Sequence, residues 1–245
     1  MASLGIIGGT GLTSLDGLEI LGREVAYTPY GEPSGFLTFS RLGGREIVFL
    51  PRHGYAHTIP PHRVNYRANI WALKSVNATR IIAIAAVGGI RGDMHPGWLA
   101  FPDQIIDYTY GREHSYFESG TERIEHVDFA HPYDDGLRKL LIAASTRAQL
   151  QHIANGTYGA TQGPRLETSA EIKRMERDGC DMVGMTGMPE AALAREQGLA
   201  YACCAVITNR AAGKGSEDIH AEIEQHLKHG MDQVRKLLLT LLESG

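Results

Sequence analysis

Several short stretches of this sequence carry residue types that suit an anion. Arg52-His53 follows an apolar run, and a guanidinium beside an imidazole can give an oxyanion three hydrogen bonds. Thr10 stands in the glycine loop GGTG, where backbone N–H groups and the hydroxyl suit a phosphate. Thr186 comes shortly before a helix predicted from Pro189, and a helix N-terminus favours negative charge. These features predict a phosphate-type site assembled from separate loops.

A carboxylate at a helix start marks the stretch 156–188. Thr168 and Glu171 have the spacing of a capping box, with Thr168 at the N-cap. Glu167 therefore lies one residue outside the helix, after the stiff turn at 162–165. A carboxylate held there can meet a ligand at a fixed angle. The alternative is a solvated or cap-supporting glutamate, the commoner role for such a residue taken alone.

Other chemistries fit the sequence poorly. His53 and His57 have a metal-like spacing, but Gly54 and the following prolines break any helix, so no metal is expected. A dinucleotide fingerprint would need glycine at Ser14, which leaves a nucleotide-dependent oxidoreductase as a weak alternative. A non-catalytic binding module is a further alternative, in which the residues of the phosphate-type site would be idle.

Composition bounds the class of protein. The 245 residues, 43% of them hydrophobic, suit one α/β domain spanning 1–245. The 24 basic and 28 acidic residues give a net charge of −4, which argues against a nucleic-acid partner. Cys180, Cys203 and Cys204 form no CxxC spacing, so buried, reduced thiols are predicted. We expect a cytoplasmic protein with no signal peptide and no membrane partner.

Strands and helices alternate along the chain, which predicts an α/β fold. The expected strands cover 4–7, 46–50, 80–86, 103–110 and 199–208. The expected helices cover 63–75, 137–150, 189–196 and a short segment after Thr168. A glycine turn is expected after residue 86. The segment 112–133 is polar and irregular. A long final helix carries an apolar stripe that we interpret as core: Ile219, Ile223, Leu227, Met231, Val234, Leu238 and Leu241.

Four longer blocks resemble one known family. They read GIIGGTGL at 5–12, RHGYAHTIPPHRVNYRANIWALK at 52–74, TQGPRLETSAE at 161–171 and MVGMTGMPEAALAREQG at 182–198. Together they are similar to the methylthioadenosine phosphorylase branch of the trimeric purine nucleoside phosphorylases. The resemblance covers nearly the whole chain. It implies a mixed sheet closing towards a barrel and flanked by helices, a homotrimer, and cleavage of a purine nucleoside by inorganic phosphate.

The resemblance assigns roles to single residues. It implies a phosphate site made of Thr10, Arg52, His53, Ala85, Ala86 and Thr186, with Met185 under the ribose. Ala85 departs from the family, which usually has Thr or Asn there, so a side-chain contact is lost while the backbone contact remains. The resemblance implies inorganic phosphate as a co-substrate. It implies no metal and no organic cofactor.

The base pocket holds a second departure. Methylthioadenosine phosphorylases usually have Asp at the positions of Asn209 and Ala211, and Ser or Thr at that of Glu167. Phosphorylases specific for hypoxanthine and guanine have this Glu and this Asn. A 6-oxopurine offers its N1–H to Glu167 and accepts at N7 and O6 from Asn209, whereas adenine mismatches both. Each mismatch costs about 1–3 kcal/mol, which predicts discrimination on the order of hundreds-fold.

The 5′ side of the substrate is the least constrained. The family framework suggests a thioether pocket, with Ile223 as apolar surface. His220 resembles a residue near the 5′-hydroxyl in nucleoside phosphorylases, although a surface histidine is an equal alternative. His126 matches a position that reaches a neighbouring subunit's ribose. The expected substrate is 5′-methylthioinosine, with inosine and guanosine next and methylthioadenosine as the alternative. Asn209 and His53 are the expected catalytic residues.

Overall fold

A large mixed β-sheet forms the centre of the part of the chain that the structure describes. The computed structural model describes residues 4–9, 18–117, 120, 123–215 and 218–243. Its strands are β1 Leu4–Gly8, β2 Glu19–Glu24, β3 Leu37–Leu42, β4 Arg45–Pro51, β5 Arg80–Gly89, β6 Leu99–Ala100, β7 Gln104–Asp107, β8 His152–Ile153, β9 Thr157–Ala160, β10 Met182–Gly184 and β11 Ala200–Arg210. Its α-helices are α1 Tyr66–Ser75, α2 Asp135–Arg147, α3 Ser169–Asp178, α4 Glu190–Glu196 and α5 Ile219–Glu243. The predicted α/β class is confirmed.

The sheet branches at β5. One path runs β2-β3-β4-β1-β5-β10-β9-β7, while β11 pairs with β5 and β6, and β6 pairs with β8. Strands β4, β1, β5 and β11 are parallel neighbours, whereas β10 lies antiparallel to β5. The sheet is therefore mixed, as predicted, and its closure towards a barrel stays a prediction.

Strands β5 and β11 are longer than predicted, which corrects two boundaries. No glycine turn follows residue 86, because Gly88 pairs with Asn209 and Gly89 with Arg210. The register shifts between Ile207 and Asn209, so β11 continues past Thr208. A Cβ on Gly88 would lie 3.2 Å from Asn209 Nδ2, so the absence of a side chain lets the two strands stay paired.

Capping side chains set the helix starts. The capping box at Thr168 and Glu171 is confirmed, with the Thr168 hydroxyl accepting from Glu171 N at 3.1 Å and Glu171 accepting from Thr168 N at 2.7 Å. Helix α1 begins three residues later than expected because Asn65 is its N-cap and accepts from Ala68 N at 3.1 Å. Pro189 is the N-cap of α4.

The apolar stripe of α5 has two roles rather than one. Val234 and Leu238 are fully buried in the core, as predicted. The first half of the stripe instead faces a cavity, through Ile219, Ile223, Leu227 and Met231. Gly230 lies against Val206 of β11 so closely that a Cβ there would overlap it. Helix α5 packs closely against β11 at its middle. The apolar side chains of its first half form one wall of the cavity.

Three further observations complete the fold. Strands β2 and β3 pair with each other antiparallel and were not predicted from the sequence. Cys180, Cys203 and Cys204 are free and buried, as predicted. Within the described ranges, no helix is long and apolar enough to cross a lipid bilayer.

Candidate active site

A cavity of about 620 Å³ opens where the parallel strands β1, β4, β5 and β11 end. Ligands collect at this edge in open α/β sheets because successive loops converge there. The cavity brings together most of the predicted site residues, namely Arg52, His53, Ala85, Ala86, Glu167, Met185, Thr186, Asn209, Ala211 and Ile223. His126 and His220 are exposed and are not among the lining residues. Thr10 lies outside the described residues.

Arg52 is held by a buried ion pair that the sequence analysis did not foresee. Its Nε and Nη2 donate to the two carboxylate oxygens of Glu190, each at 2.7 Å, and Nη1 donates to Ile84 O at 2.8 Å. The Tyr201 hydroxyl donates to Glu190 Oε1 at 2.8 Å. Burial lowers the pKa of Arg52, but the Glu190 carboxylate more than offsets it, so the pKa lies above its ordinary value. The guanidinium and the carboxylate are in direct contact, so the pair carries no net charge.

His53 is neutral and has a defined tautomer. Its Nδ1 lies 2.8 Å from Ile59 O, which can only accept, so Nδ1 carries the proton and Nε2 keeps a lone pair. Burial and the neighbouring Arg52 charge lower the pKa of His53 to about 4. The ring of His57 packs against it, with centroids 4.8 Å apart. At neutral pH His53 therefore offers an acceptor to the cavity, which suits a protonated oxygen of phosphate.

Small side chains form the floor between these groups. Ala86 is the one exposed residue within an otherwise buried run of β5, because it faces the cavity. Strand β10 ends at Gly184, so Met185 and Thr186 belong to the following loop rather than to the strand. The backbone N–H of Thr186 donates to the Tyr158 hydroxyl over a long 3.4 Å. Thr186 itself is buried and lines the cavity.

Glu167 is positioned by a threonine. The Thr161 hydroxyl donates to Glu167 Oε1 at 2.6 Å, and Thr161 itself is buried. The second oxygen, Oε2, has no hydrogen-bond partner in the part of the chain that the structure describes. Glu167 lines the cavity. Its Oε1 therefore anchors the side chain, and its Oε2 is available to a ligand.

Asn209 has a fixed amide orientation. Its Nδ2 lies 2.8 Å from Arg210 O, an atom that only accepts, so this end must be the NH₂ group. The Thr208 hydroxyl donates to Oδ1 at 2.9 Å, which uses the acceptor end. One N–H of the amide remains for a ligand, and Asn209 is only 6% exposed. The side chain is therefore presented to the cavity as a donor.

Met185 lies where the glycine turn meets the cavity. Gly163 has φ +59°, a region that favours glycine, and a Cβ there would lie 2.5 Å from Met185 Sδ. The turn thus approaches Met185 closely, and Met185 lines the cavity together with Pro164 and Leu166. The apolar side chain forms a flat surface beside the polar groups.

Several residues that hold the site were not predicted from the sequence. Thr161, Thr208 and Glu190 bond to predicted site residues, and only position gave a signal: Thr208 precedes Asn209, Thr161 opens the TQGP stretch, and Glu190 follows Pro189. In the described ranges, no group of three or more His, Cys, Asp or Glu side chains could hold a metal ion.

This arrangement of strands, loops and polar groups defines a class. The model of the Phosphorylase superfamily matches residues 3–243, and the chain belongs to this family. A probable S-methyl-5′-thioinosine phosphorylase from Pseudomonas syringae pv. tomato is 52% identical over the full length of both chains. A 6-oxopurine nucleoside phosphorylase from Pyrococcus furiosus is 43% identical, over 99% of this chain and 92% of that protein.

Solved structures agree with the relatives in sequence. The unliganded methylthioadenosine phosphorylase from Schistosoma mansoni superposes with a TM-score of 0.91 at 32% identity, over 99% of this chain and 90% of that one. The predicted family is confirmed. The chain is a purine nucleoside phosphorylase-type enzyme, which acts on a small-molecule nucleoside and phosphate and cleaves the N-glycosidic bond by phosphorolysis.

Proposed function

We propose that the enzyme is specific for 6-oxopurine nucleosides with an apolar 5′ substituent, and that 5′-methylthioinosine is its best substrate. The products are then hypoxanthine and 5-methylthioribose 1-phosphate. The relatives named as methylthioinosine and 6-oxopurine phosphorylases support this assignment. The reaction uses inorganic phosphate as co-substrate, and we propose that it needs no metal or organic cofactor.

The orientation of the Asn209 amide carries the proposal. Arg210 O holds Nδ2 and the Thr208 hydroxyl occupies Oδ1, so the amide offers an N–H to the base. O6 and N7 of a 6-oxopurine accept hydrogen bonds, whereas the 6-amino group of adenine would present a donor to a donor. Turning the amide around would break its bond to Arg210. The site therefore favours an oxo group over an amino group.

Glu167 supports the same choice from the other edge of the base. Its Oε2 is open to the cavity while Thr161 holds Oε1. A 6-oxopurine has an N1–H donor that matches Glu167 Oε2. N1 of adenine carries no proton, so two acceptors would face each other. Both polar groups of the pocket thus discriminate in the same direction.

An apolar wall supports the 5′ assignment. Ile219, Ile223, Leu227 and Met231 of α5 line one end of the cavity. A methylthio group buries apolar surface there, whereas a 5′-hydroxyl would lose hydrogen bonds to water. We propose that Ile223 contacts the sulfur. His220 as a 5′-hydroxyl partner and His126 as a contact to a neighbouring subunit's ribose stay predictions.

The mechanism follows from these positions. Phosphate, held beside Arg52, His53 and Thr186, attacks C1′ as the C–N bond breaks, and negative charge develops on the purine. The Asn209 N–H stabilises that charge in a pocket shielded from water. His53 is neutral, and its Nδ1–H donates to Ile59 O. Its Nε2 therefore accepts from a phosphate hydroxyl, and the side chain does not act as an acid. Protons needed by the leaving base come from solvent.

The substrate assignment is tested with three nucleosides. Release of free base is measured from 5′-methylthioinosine, inosine and 5′-methylthioadenosine, each with and without phosphate. We expect phosphate-dependent release that is fastest from methylthioinosine. Faster cleavage of inosine would refute the apolar 5′ pocket and favour His220 as a hydroxyl partner. Faster cleavage of methylthioadenosine would refute the roles of Glu167 and Asn209.

We also propose that the enzyme is a cytoplasmic homotrimer, as the family resemblance implies. The expected mass in light scattering is three times that of the 26.7 kDa chain. A monomer with full activity would contradict this assignment and would remove the proposed subunit contact of His126.

A further inference from the structure

One buried arginine outside the cavity lining bonds to the loops that form it. Arg112 lies in the irregular segment after β7 and is 8% exposed. Its guanidinium donates to four backbone carbonyls: Thr161 at 3.0 Å, Gln162 at 2.9 Å, Met185 at 2.9 Å and Met188 at 2.6 Å. It also donates to Gln162 Oε1 at 3.1 Å and to the Tyr66 hydroxyl at 3.2 Å. Every N–H of the side chain is therefore used.

These bonds reach three parts of the site. The first contact is to Thr161, whose hydroxyl donates to the carboxylate of Glu167, the residue proposed to bind the base. Met185 and Met188 flank Thr186, so the second contact frames the loop expected to bind phosphate. The Tyr66 hydroxyl donates to Pro61 O at 2.9 Å, which ties in the loop after Arg52. A single planar group thus sets the distance between the base end and the phosphate end.

The charge of Arg112 is unpaired, in contrast to that of Arg52. Arg52 is the only lysine or arginine among the described lining residues, and Glu190 cancels its charge. His53 is neutral as well. No carboxylate in the described ranges pairs with Arg112, whose partners are carbonyls, an amide and a hydroxyl. A phosphate dianion that reaches Thr186 is therefore attracted by the positive charge of Arg112, which lies behind the Met185–Met188 loop. Little water screens the charge there.

We propose that Arg112 is a positioning residue for phosphorolysis, which fixes the Glu167 and Thr186 loops relative to each other and supplies the net positive charge behind the phosphate. The inference rests on the proposed phosphate and base positions. It does not depend on which nucleoside the enzyme prefers, because the phosphate constants are measured with the nucleoside that is cleaved fastest. Failure of the 6-oxopurine assignment and failure of this inference are therefore distinguishable.

The test compares two buried arginines. Arg138 is 9% exposed and also donates to backbone carbonyls, those of Phe101, Pro102 and Ala154, but it lies away from the cavity. We expect Arg112→Ala to raise the KM for inorganic phosphate by roughly tenfold to a hundredfold. Arg138→Ala should lower thermal stability and leave that KM within about twofold. Millimolar guanidinium should restore the phosphate KM of Arg112→Ala and not affect that of Arg138→Ala.

A conservative variant keeps the test decisive if the alanine variant fails to fold. Arg112→Lys retains the charge but loses the planar fork, so it cannot bond to both loops at once. We expect it to keep a phosphate KM closer to that of the wild type while the KM for the nucleoside rises several-fold. Unchanged constants for both substrates in Arg112→Lys would overturn the inference. So would equal effects of the two alanine variants on the phosphate KM.

Discussion

Replacing Asn209 by aspartate gives the sharpest test of base recognition. In Asn209→Asp an oxygen replaces Nδ2, 2.8 Å from Arg210 O, and two acceptors then face each other. A carboxylate there either binds a proton or turns away from the position that meets the base. The charged form cannot donate to O6 and N7 of a 6-oxopurine, whereas the protonated acid still can.

The magnitude follows from the one donor to the base that is lost. An unmatched buried group costs about 1–3 kcal/mol, so kcat/KM for 5′-methylthioinosine should fall by roughly fivefold to 150-fold. Cleavage of 5′-methylthioadenosine should fall less or rise, because the carboxylate accepts from its 6-amino group. The loss for methylthioinosine should shrink as the pH is lowered, since the protonated acid regains a donor.

The assay is release of hypoxanthine and adenine at saturating phosphate, with the ratio of the two kcat/KM values as the result. Asn69→Asp is the matched control, since Asn69 is fully buried and bonds to Ser34 rather than to the cavity. It should lower stability without changing the ratio. If Asn209→Asp leaves the ratio of oxopurine to aminopurine cleavage unchanged, the argument from amide orientation is refuted.

Three other predictions address the supporting groups. Glu190→Gln leaves the buried Arg52 charge without its partner, and it should lower the free energy of unfolding in urea by about 3–5 kcal/mol; a loss below about 1 kcal/mol would contradict the buried pair. Thr161→Val removes the hydroxyl that holds Glu167. It should lower kcat/KM for the oxopurine substrate by about tenfold with little change in the phosphate KM. An equal rise in the KM values for nucleoside and phosphate would argue against a base-specific role. The pKa of His53 is lowered to about 4 from an ordinary value near 6.5, so the folded state binds fewer protons than the unfolded chain. Its contribution to stability is therefore complete above pH 6.5 and is lost as the pH falls towards 4, and urea titrations of His53→Asn should show a shallower decline over that range than the wild type.

Part of the fold was predictable because its causes are local. The apolar runs of β1, β4, β5 and β11 and the capping box at Thr168 and Glu171 involve residues a few positions apart. Strand β2 was missed because it is largely exposed and is specified by pairing with β3 rather than by an apolar pattern. The boundaries of β5 and β11 were misplaced because glycine usually signals a turn, whereas here Gly88 makes room for Asn209 across the ladder.

The candidate site divides in the same way. Residue types and strand ends in the sequence determined which groups reach the cavity, since parallel strands bring their carboxyl ends to one edge. The partners of those groups were decided only by the tertiary structure. Arg52 meets Glu190 across 138 positions, and Arg112 meets Met188 across 76. Burial and charge pairing over such separations leave no pattern in a single sequence, so the folded packing alone decides the neutral Arg52 pair, the direction of the Asn209 amide and the lack of a carboxylate partner for Arg112 among the described residues.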